Sequence, residues 1–353
     1  MIPGTATPHK PGDPVRVLFF ADAGPLVGGG HVMRCLTLAE ALAARGAACG
    51  FIAIPAAGPV LEVFAGPDIE RIAVTGDSAE ALAAAAARWS ASAMVIDHYG
   101  FECGHEARLR ETVRPLLVLD DLRRRHDCDV VLDSNLGRAA GDYPGVEALI
   151  GPDYALVRPA FAALRETALA RRALNDPPRR LLVSLGLTDV GGITARVIEN
   201  LLPSLGDLTL DVVLGAGAPS LERLQALAAS DARVRLHVNA QDMPALTAEA
   251  DLAIGAGGSS TWERGCLGLP TIALVLADNQ RPNALALEAA GASVVIEAGA
   301  EDFENQLRTA VRDLVGDEAA RQAMSQAAAA LCDGQGAGRV ADRLLSMIAP
   351  RAP

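Results

Sequence analysis

The chain has a single lysine among its 353 residues, Lys10, and that scarcity excludes several chemistries at once. A P-loop lysine, a Schiff-base lysine and a kinase-type lysine are all unavailable beyond position 10. Any phosphate bound there must be held by backbone amides, helix N-termini and arginines. Half of the residues are hydrophobic and mean hydropathy is +0.24, yet the apolar runs are short and broken by Gly, Pro, Asp or Arg. None reaches the about 18 uncharged apolar residues of a membrane span. The opening residues, MIPGTATPHKPGDP (1–14), lack an apolar h-region and read as a disordered tail, not a signal peptide. The six cysteines, at 35, 49, 103, 128, 266 and 332, contain no CxxC pair. Without an export signal they are expected to be reduced and mostly buried, in a cytoplasmic protein. Positive charge is also short. A formal net charge of −12 argues against nucleic acid and anionic membrane as partners.

What the chain has is alternation. Short apolar runs at 15–20, 49–54, 93–97, 115–119, 129–133 and 147–150 read as strands, with helical patterns such as 32–45 and 78–90 between them. The stretch 168–180, ALARRALNDPPRR, loses periodicity and ends in charge and Pro-Pro, so the linker is placed at 169–180. Alternation restarts at 181–185 and continues at 208–214, 233–237, 251–254, 271–276 and 292–296, with helical patterns from about 302 to 348. This βαβ signature predicts an α/β chain of two Rossmann-like, doubly wound domains, 15–168 and 181–348, facing a central cleft. Ligands are expected at the carboxyl ends of the strands.

The first strand runs into GPLVGGGHVMRC (24–35). Gly28 and Gly30 satisfy half of the dinucleotide fingerprint, but Met33 stands where its third glycine belongs. The second strand ends at Ala53-Ile54-Pro55, with no acidic residue for a ribose. A nicotinamide cofactor is therefore not expected, and no other cofactor is implied. His31 falls in the first turn of the following helix, where the positive end of the helix dipole favours a neutral imidazole. Such a ring serves as a general base toward water or a hydroxyl. Capping the helix or touching a phosphate is the plainer role, and both stay open here.

Carboxylates end three strands: Asp97-His98-Tyr99, Asp120-Asp121 and Asp133-Ser134-Asn135 share one rim of the first domain. There they can hydrogen-bond a sugar. No metal-ligand spacing is recognisable among them. The strongest stretch is GAGGSSTWER (255–264), where a strand passes through glycines into a helix opened by serines. Backbone amides and hydroxyls supply diphosphate donors there without a lysine. Glu263 lies where a carboxylate takes both hydroxyls of a ribose, but Ser260-x-x-Glu263 is equally a capping box. A looser turn, SLGLTD (184–189), opens the second domain's first helix. Asp278-Asn279-Gln280 follows a strand and is placed either to contact a sugar or to form an ordinary polar turn.

Together, GGGHVMRC, VIDHY, the paired aspartates at 120–121, SLGLTDVGGIT and GAGGSSTWERGCLGLPTI followed by LADNQ resemble the UDP-sugar hydrolases of pseudaminic acid biosynthesis, in order, from about residue 16 to about 296. The resemblance implies a GT-B architecture and a UDP-2,4-diacetamido-2,4,6-trideoxy-β-L-altropyranose substrate, split without metal into free sugar and UDP. It implies water attack at the anomeric carbon with inversion, in a pathway that serves flagellin glycosylation. Carried over by position, His31 would activate water and Tyr99 would sit beside the sugar; Gly30 and Asp97 are expected to bind substrate beside them. Gly257, Gly258, Ser259 and Ser260 would hold the diphosphate, Glu263 the ribose, and Asn279 with Gln280 the hexose. The loop from Pro25 to Gly30 is longer and richer in glycine than the serine-containing version expected of the family. Rival readings are an inverting glycosyltransferase of the same fold, with His31 deprotonating an acceptor hydroxyl, and a non-catalytic sugar-nucleotide binder.

Overall fold

The computed structural model describes residues 14–24, 27–174 and 176–348. The expected tail is thus outside the described residues except for Pro14, and so are Pro25 and Leu26 of the glycine loop. The chain divides into two compact units. One runs to Leu156 and resumes at Gln335; the other spans Val157–Gly334.

The first unit is a seven-stranded parallel sheet: β1 (Arg16–Ala21), β2 (Ala48–Ile52), β3 (Glu70–Ile72), β4 (Ala93–Asp97), β5 (Leu116–Leu119), β6 (Val130–Asp133) and β7 (Glu147–Ile150). Its order is β3-β2-β1-β4-β5-β6-β7. The second unit holds six parallel strands: β8 (Arg180–Ser184), β9 (Thr209–Leu214), β10 (Val234–Val238), β11 (Leu252–Ala256), β12 (Thr271–Val275) and β13 (Val294–Glu297), in the order β10-β9-β8-β11-β12-β13. The inner strands of each sheet are buried on both faces, so they read as continuous apolar runs such as VLFF and LLV. Each sheet reverses its winding once, between β1 and β4 in the first unit and between β8 and β11 in the second. Those two switch points are where a doubly wound sheet opens a crevice at its carboxyl edge. Only β3 among the thirteen strands had no counterpart in the sequence reading, because three residues with one buried side chain leave no pattern.

The domain boundary differs from expectation. The helix Pro159–Ala173 runs on into the first part of the expected 169–180 linker, as far as Ala173. It belongs to the second unit, where Phe161 is fully buried and Arg165 donates to the carbonyls of Ala329 (2.7 Å) and Cys332 (2.9 Å). Pro159 suits a first helical turn, whose N–H has no acceptor in any case. Arg171 and Arg172 hold the helix's far end by donating to carbonyls at 247–250. The last helix, Gly336–Ile348, leaves the expected second domain and joins the first unit. Its apolar stripe, Ala337, Val340, Ala341, Leu344 and Ile348, packs into the core around Val32 and Leu38. A Cβ at Gly336 would stand 2.3 Å from the Ala155 carbonyl oxygen, so only glycine lets that helix start where it does. Among the described residues, no helix is long and apolar enough to cross a membrane.

Candidate active site

Two clusters form at the two switch points, one in each unit. In the first, β1 ends and the helix Gly30–Ala43 begins with an exposed Gly30 and a buried His31 (7 % exposed). The neighbouring strand β4 ends on Asp97, which is 1 % exposed. Parallel pairing aligns Ala21 with Asp97, so the histidine and the carboxylate, 66 residues apart, meet with Nδ1 2.6 Å from Oδ1. Arg34, one helical turn after His31, lays its guanidinium across both oxygens of Asp97, through Nε to Oδ2 and through Nη2 to Oδ1 at 2.6 Å. Burial opposes the charge on Asp97, but Arg34 and then His31 outweigh it and hold the carboxyl well below its usual range. An ionised carboxylate only accepts, so Nδ1 must carry a proton, and in the neutral ring the lone pair is then on Nε2.

Around the dyad, the Tyr99 ring stands edge-on to His31 with centroids 4.6 Å apart. Its hydroxyl donates to Asp121, with oxygen distances of 2.9 and 3.1 Å. Burial first, and Asp121 second, push the phenol well above its ordinary range. His98 stacks on Phe20 and accepts the Gly100 N–H on Nδ1 at 2.9 Å. Burial lowers its basicity, partly offset by Asp22 3.8 Å away. The sequence reading put Asp97 against the sugar. The structure corrects this, because Asp97 is enclosed and its oxygens are occupied by His31, Arg34 and the Cys35 thiol. Asp120 and Asp133 are likewise buried, both hydrogen-bonded by the Tyr143 hydroxyl at 2.9 and 2.8 Å.

The second cluster lies where β11 runs through Gly257, Gly258 and Ser259 into the short helix Ser260–Cys266. Gly257 was expected to donate to a diphosphate; its N–H instead bonds the Leu274 carbonyl at 3.0 Å and extends the β11–β12 ladder. The amides of Gly258, Ser259 and Ser260 have no acceptor among the described residues and remain as donors. Gln280 abuts the turn, for a Cβ on Gly257 would lie 3.3 Å from its Cβ, and its Oε1 accepts the Leu276 N–H at 3.1 Å. Asn279 shares the same one-turn 3-10 helix, Asp278–Gln280.

The capping-box alternative for Glu263 is not formed. Ser259 occupies the cap position without a side-chain bond, Ser260 accepts from Arg264 at 2.9 Å, and Glu263 pairs with Arg158 at 3.0 Å. Arg158 and Arg264 are the residues the sequence reading missed here. Arg264 is 4 % exposed, and it donates to the Ala256 carbonyl and to the hydroxyls of Ser260 and Thr261, with no carboxylate bonded to it among the described residues. Burial pushes its basicity down to about 10. Gly255 makes room for it, since a Cβ there would be 2.4 Å from the guanidinium carbon. The looser turn after β8 is internally bound: Asp189 is fully buried and accepts from Thr194 and from the Ser220 N–H.

Residues 196–343 match the glycosyltransferase family 28 C-terminal domain. The chain is 26% identical over 286 residues to the UDP-2,4-diacetamido-2,4,6-trideoxy-beta-L-altropyranose hydrolase of Campylobacter jejuni, covering 79% of this chain and 98% of that protein. It is 31% identical over 246 residues, 65% of each chain, to the UDP-N-acetylglucosamine--N-acetylmuramyl-(pentapeptide) pyrophosphoryl-undecaprenol N-acetylglucosamine transferase of Xylella fastidiosa. MurG of Acinetobacter baumannii superposes with a TM-score of 0.65 at 20% identity, over 95% of this chain and 100% of its own. The fold is that of the GT-B glycosyltransferases, and the chain resembles the hydrolase along most of its length.

Proposed function

We propose that this GT-B-fold chain hydrolyses a UDP-linked diacetamido-trideoxy hexose to the free sugar and UDP. The observation that carries the reading is the His31–Asp97 dyad at the first switch point, which commits Nδ1 to the carboxylate and leaves Nε2 as the acceptor of the neutral ring. A pure binder has no use for such a base. The hydrolase likeness supports water as the nucleophile, since it spans nearly the whole of that relative. Tyr99 and Gly30 are assigned to the sugar, as are Asn279 and Gln280.

In the reaction proposed, His31 takes a proton from water as its oxygen attacks the anomeric carbon. The carbon–oxygen bond to the diphosphate breaks and the centre inverts. The diphosphate is assigned to the free amides of Gly258, Ser259 and Ser260 with the Ser260 hydroxyl, and the ribose diol to Glu263. UDP is already a good leaving group, so the catalyst's work is to place water and to stabilise charge on the departing oxygen. A glycosyltransferase is the second reading, favoured by the family 28 match over 196–343 and by the transferase relative.

The test is incubation with a panel of UDP-sugars without acceptor, following UDP release. Turnover of the diacetamido-trideoxy substrate, lost in His31→Asn with UDP affinity kept within a few-fold, is the expected result. Release only when an acceptor is added would establish the transferase instead.

A further inference from the structure

Arg34 lies between His31, assigned above to water, and Tyr99, assigned to the sugar, and touches the partner of each. Its Nε and Nη2 reach both oxygens of Asp97, the partner of His31, and its Nη1 lies 3.5 Å from Asp121 Oδ2, the partner of Tyr99. Nη2 also stands 3.5 Å from His31 Nδ1, so cation and imidazole share one carboxylate oxygen, Asp97 Oδ1. Five side chains on three chain segments therefore form one line: His31, Asp97, Arg34, Asp121, Tyr99. We propose that Arg34 is a positioning residue that fixes Asp97 so that its Oδ1 faces His31 Nδ1, and that ties the orientation of Tyr99 to the same anchor. The inference rests on the reading of His31 as the base.

The geometry gives two consequences. A carboxylate gripped bidentately cannot rotate, so the neutral ring keeps its proton on Nδ1 and its lone pair on Nε2. The guanidinium also offsets the charge of Asp97, which would otherwise stabilise a protonated imidazole. The charged and titratable groups around His31 are Asp97 and His98 from β4 and its following loop, Tyr99 beside them, Asp121 after β5, and Arg34 with Cys35 on its own helix. Asp22, after β1, acts through His98. Arg34 is the one permanent cation in that set, and Asp97 with Asp121 keep it charged despite burial.

The variants are Arg34→Gln and Arg34→Lys in the full chain. Arg34→Gln is expected to lower kcat at least tenfold with KM within threefold, and to move the acid limb of kcat to higher pH by half a unit or more. Arg34→Lys keeps a cation without the fork, so the limb should stay near its wild-type place while kcat is only partly restored. A readout independent of substrate is the imidazole 15N spectrum, with the His31 resonances assigned by their loss in His31→Asn. The wild type should show the Nδ1–H form and Arg34→Gln a tautomer mixture.

If Arg34→Gln lowers kcat but leaves both the acid limb and the tautomer unchanged, Arg34 is only packing and the inference is wrong. An Nε2–H tautomer in the wild type overturns it as well. Should Arg34→Gln not fold, Arg34→Lys decides: full wild-type kcat there would show that the fork is dispensable. A wild type that shows the Nδ1–H form, disturbed in Arg34→Gln, yet hydrolyses no UDP-sugar would sink the proposed function and leave this inference standing.

Discussion

Asp97→Asn separates the catalytic role of the dyad from its structural one. The asparagine keeps the shape but loses the charge, and its amide can present an N–H to His31 Nδ1, which would reverse the tautomer. Turnover should fall by 10² to 10⁴, the worth of a positioned general base. UDP affinity should hold, since the amides assigned to the diphosphate belong to a different unit. Stability should fall as well, because Arg34 is left largely buried, with a side chain 16% exposed. Removing one partner of a buried pair costs about 3–5 kcal/mol. Asp121 still lies 3.5 Å from Arg34, which argues for the low end, about 3 kcal/mol. At roughly 2–4 °C per kcal/mol for a domain of this size, the Tm should drop by about 6–12 °C.

The deficit also has a definite pH dependence. The carboxyl of Asp97 is held well below its unfolded value of about 3.9, so its contribution is complete above that pH and is lost as pH falls through and below it. The gap in unfolding free energy between wild type and Asp97→Asn should therefore be flat from neutral pH to about 5 and shrink below about 4. Urea unfolding across that range, beside a UDP-release assay, measures both effects. Turnover within threefold of wild type, or a gap that does not close in acid, would refute the reasoning.

Glu263→Ala should weaken UDP binding by about 2–3 kcal/mol, 30- to 150-fold, if its carboxylate takes the ribose diol. Unchanged affinity by calorimetry would return Glu263 to its Arg158 pair alone. His126 is buried between Glu106 (2.8 Å) and Asp120 (3.5 Å); burial opposes its charge, but the two carboxylates win and raise it from 6.5 to about 9. Its contribution, up to roughly 3 kcal/mol at 1.36 kcal/mol per pH unit, is full below about 6.5 and is lost as pH rises through 9. The stability difference between wild type and His126→Gln should follow that window, and a flat difference would show that His126 stays neutral. Hydrolysis in oxygen-18 water should label the sugar and leave UDP unlabelled; label in UDP would mean attack at phosphorus.

The sequence shows most clearly those features whose cause is local. Twelve of the thirteen strands were visible, most plainly the inner ones, where burial on both faces demands apolar residues, and the turn at 255–260 was visible because glycines and serines mark a strand running into a helix. His31 was visible for the same reason. Its partner was only half visible. Asp97 was noticed as a strand-end carboxylate, but a substrate contact and a buried support differ only in the strand order that puts β4 beside β1.

The features that stayed hidden are pairings across distance. Arg34 sits in a helix where an arginine reads as an ordinary surface residue, and only the meeting with Asp97 and Asp121 gives it work. Gly257 looked like a phosphate donor until its N–H was seen on Leu274, a bond fixed by the β11–β12 register. The pattern Ser260-x-x-Glu263 had two local solutions, and a residue more than a hundred positions away, Arg158, took the glutamate. The last helix makes the same point at the scale of a domain. Its stripe announces an amphipathic helix, but which core the stripe enters depends on tight contacts such as Gly336 on Ala155, which no periodicity carries. A motif can therefore name the atoms able to do chemistry, while the strand order decides which of them face a ligand and which are held in place behind it.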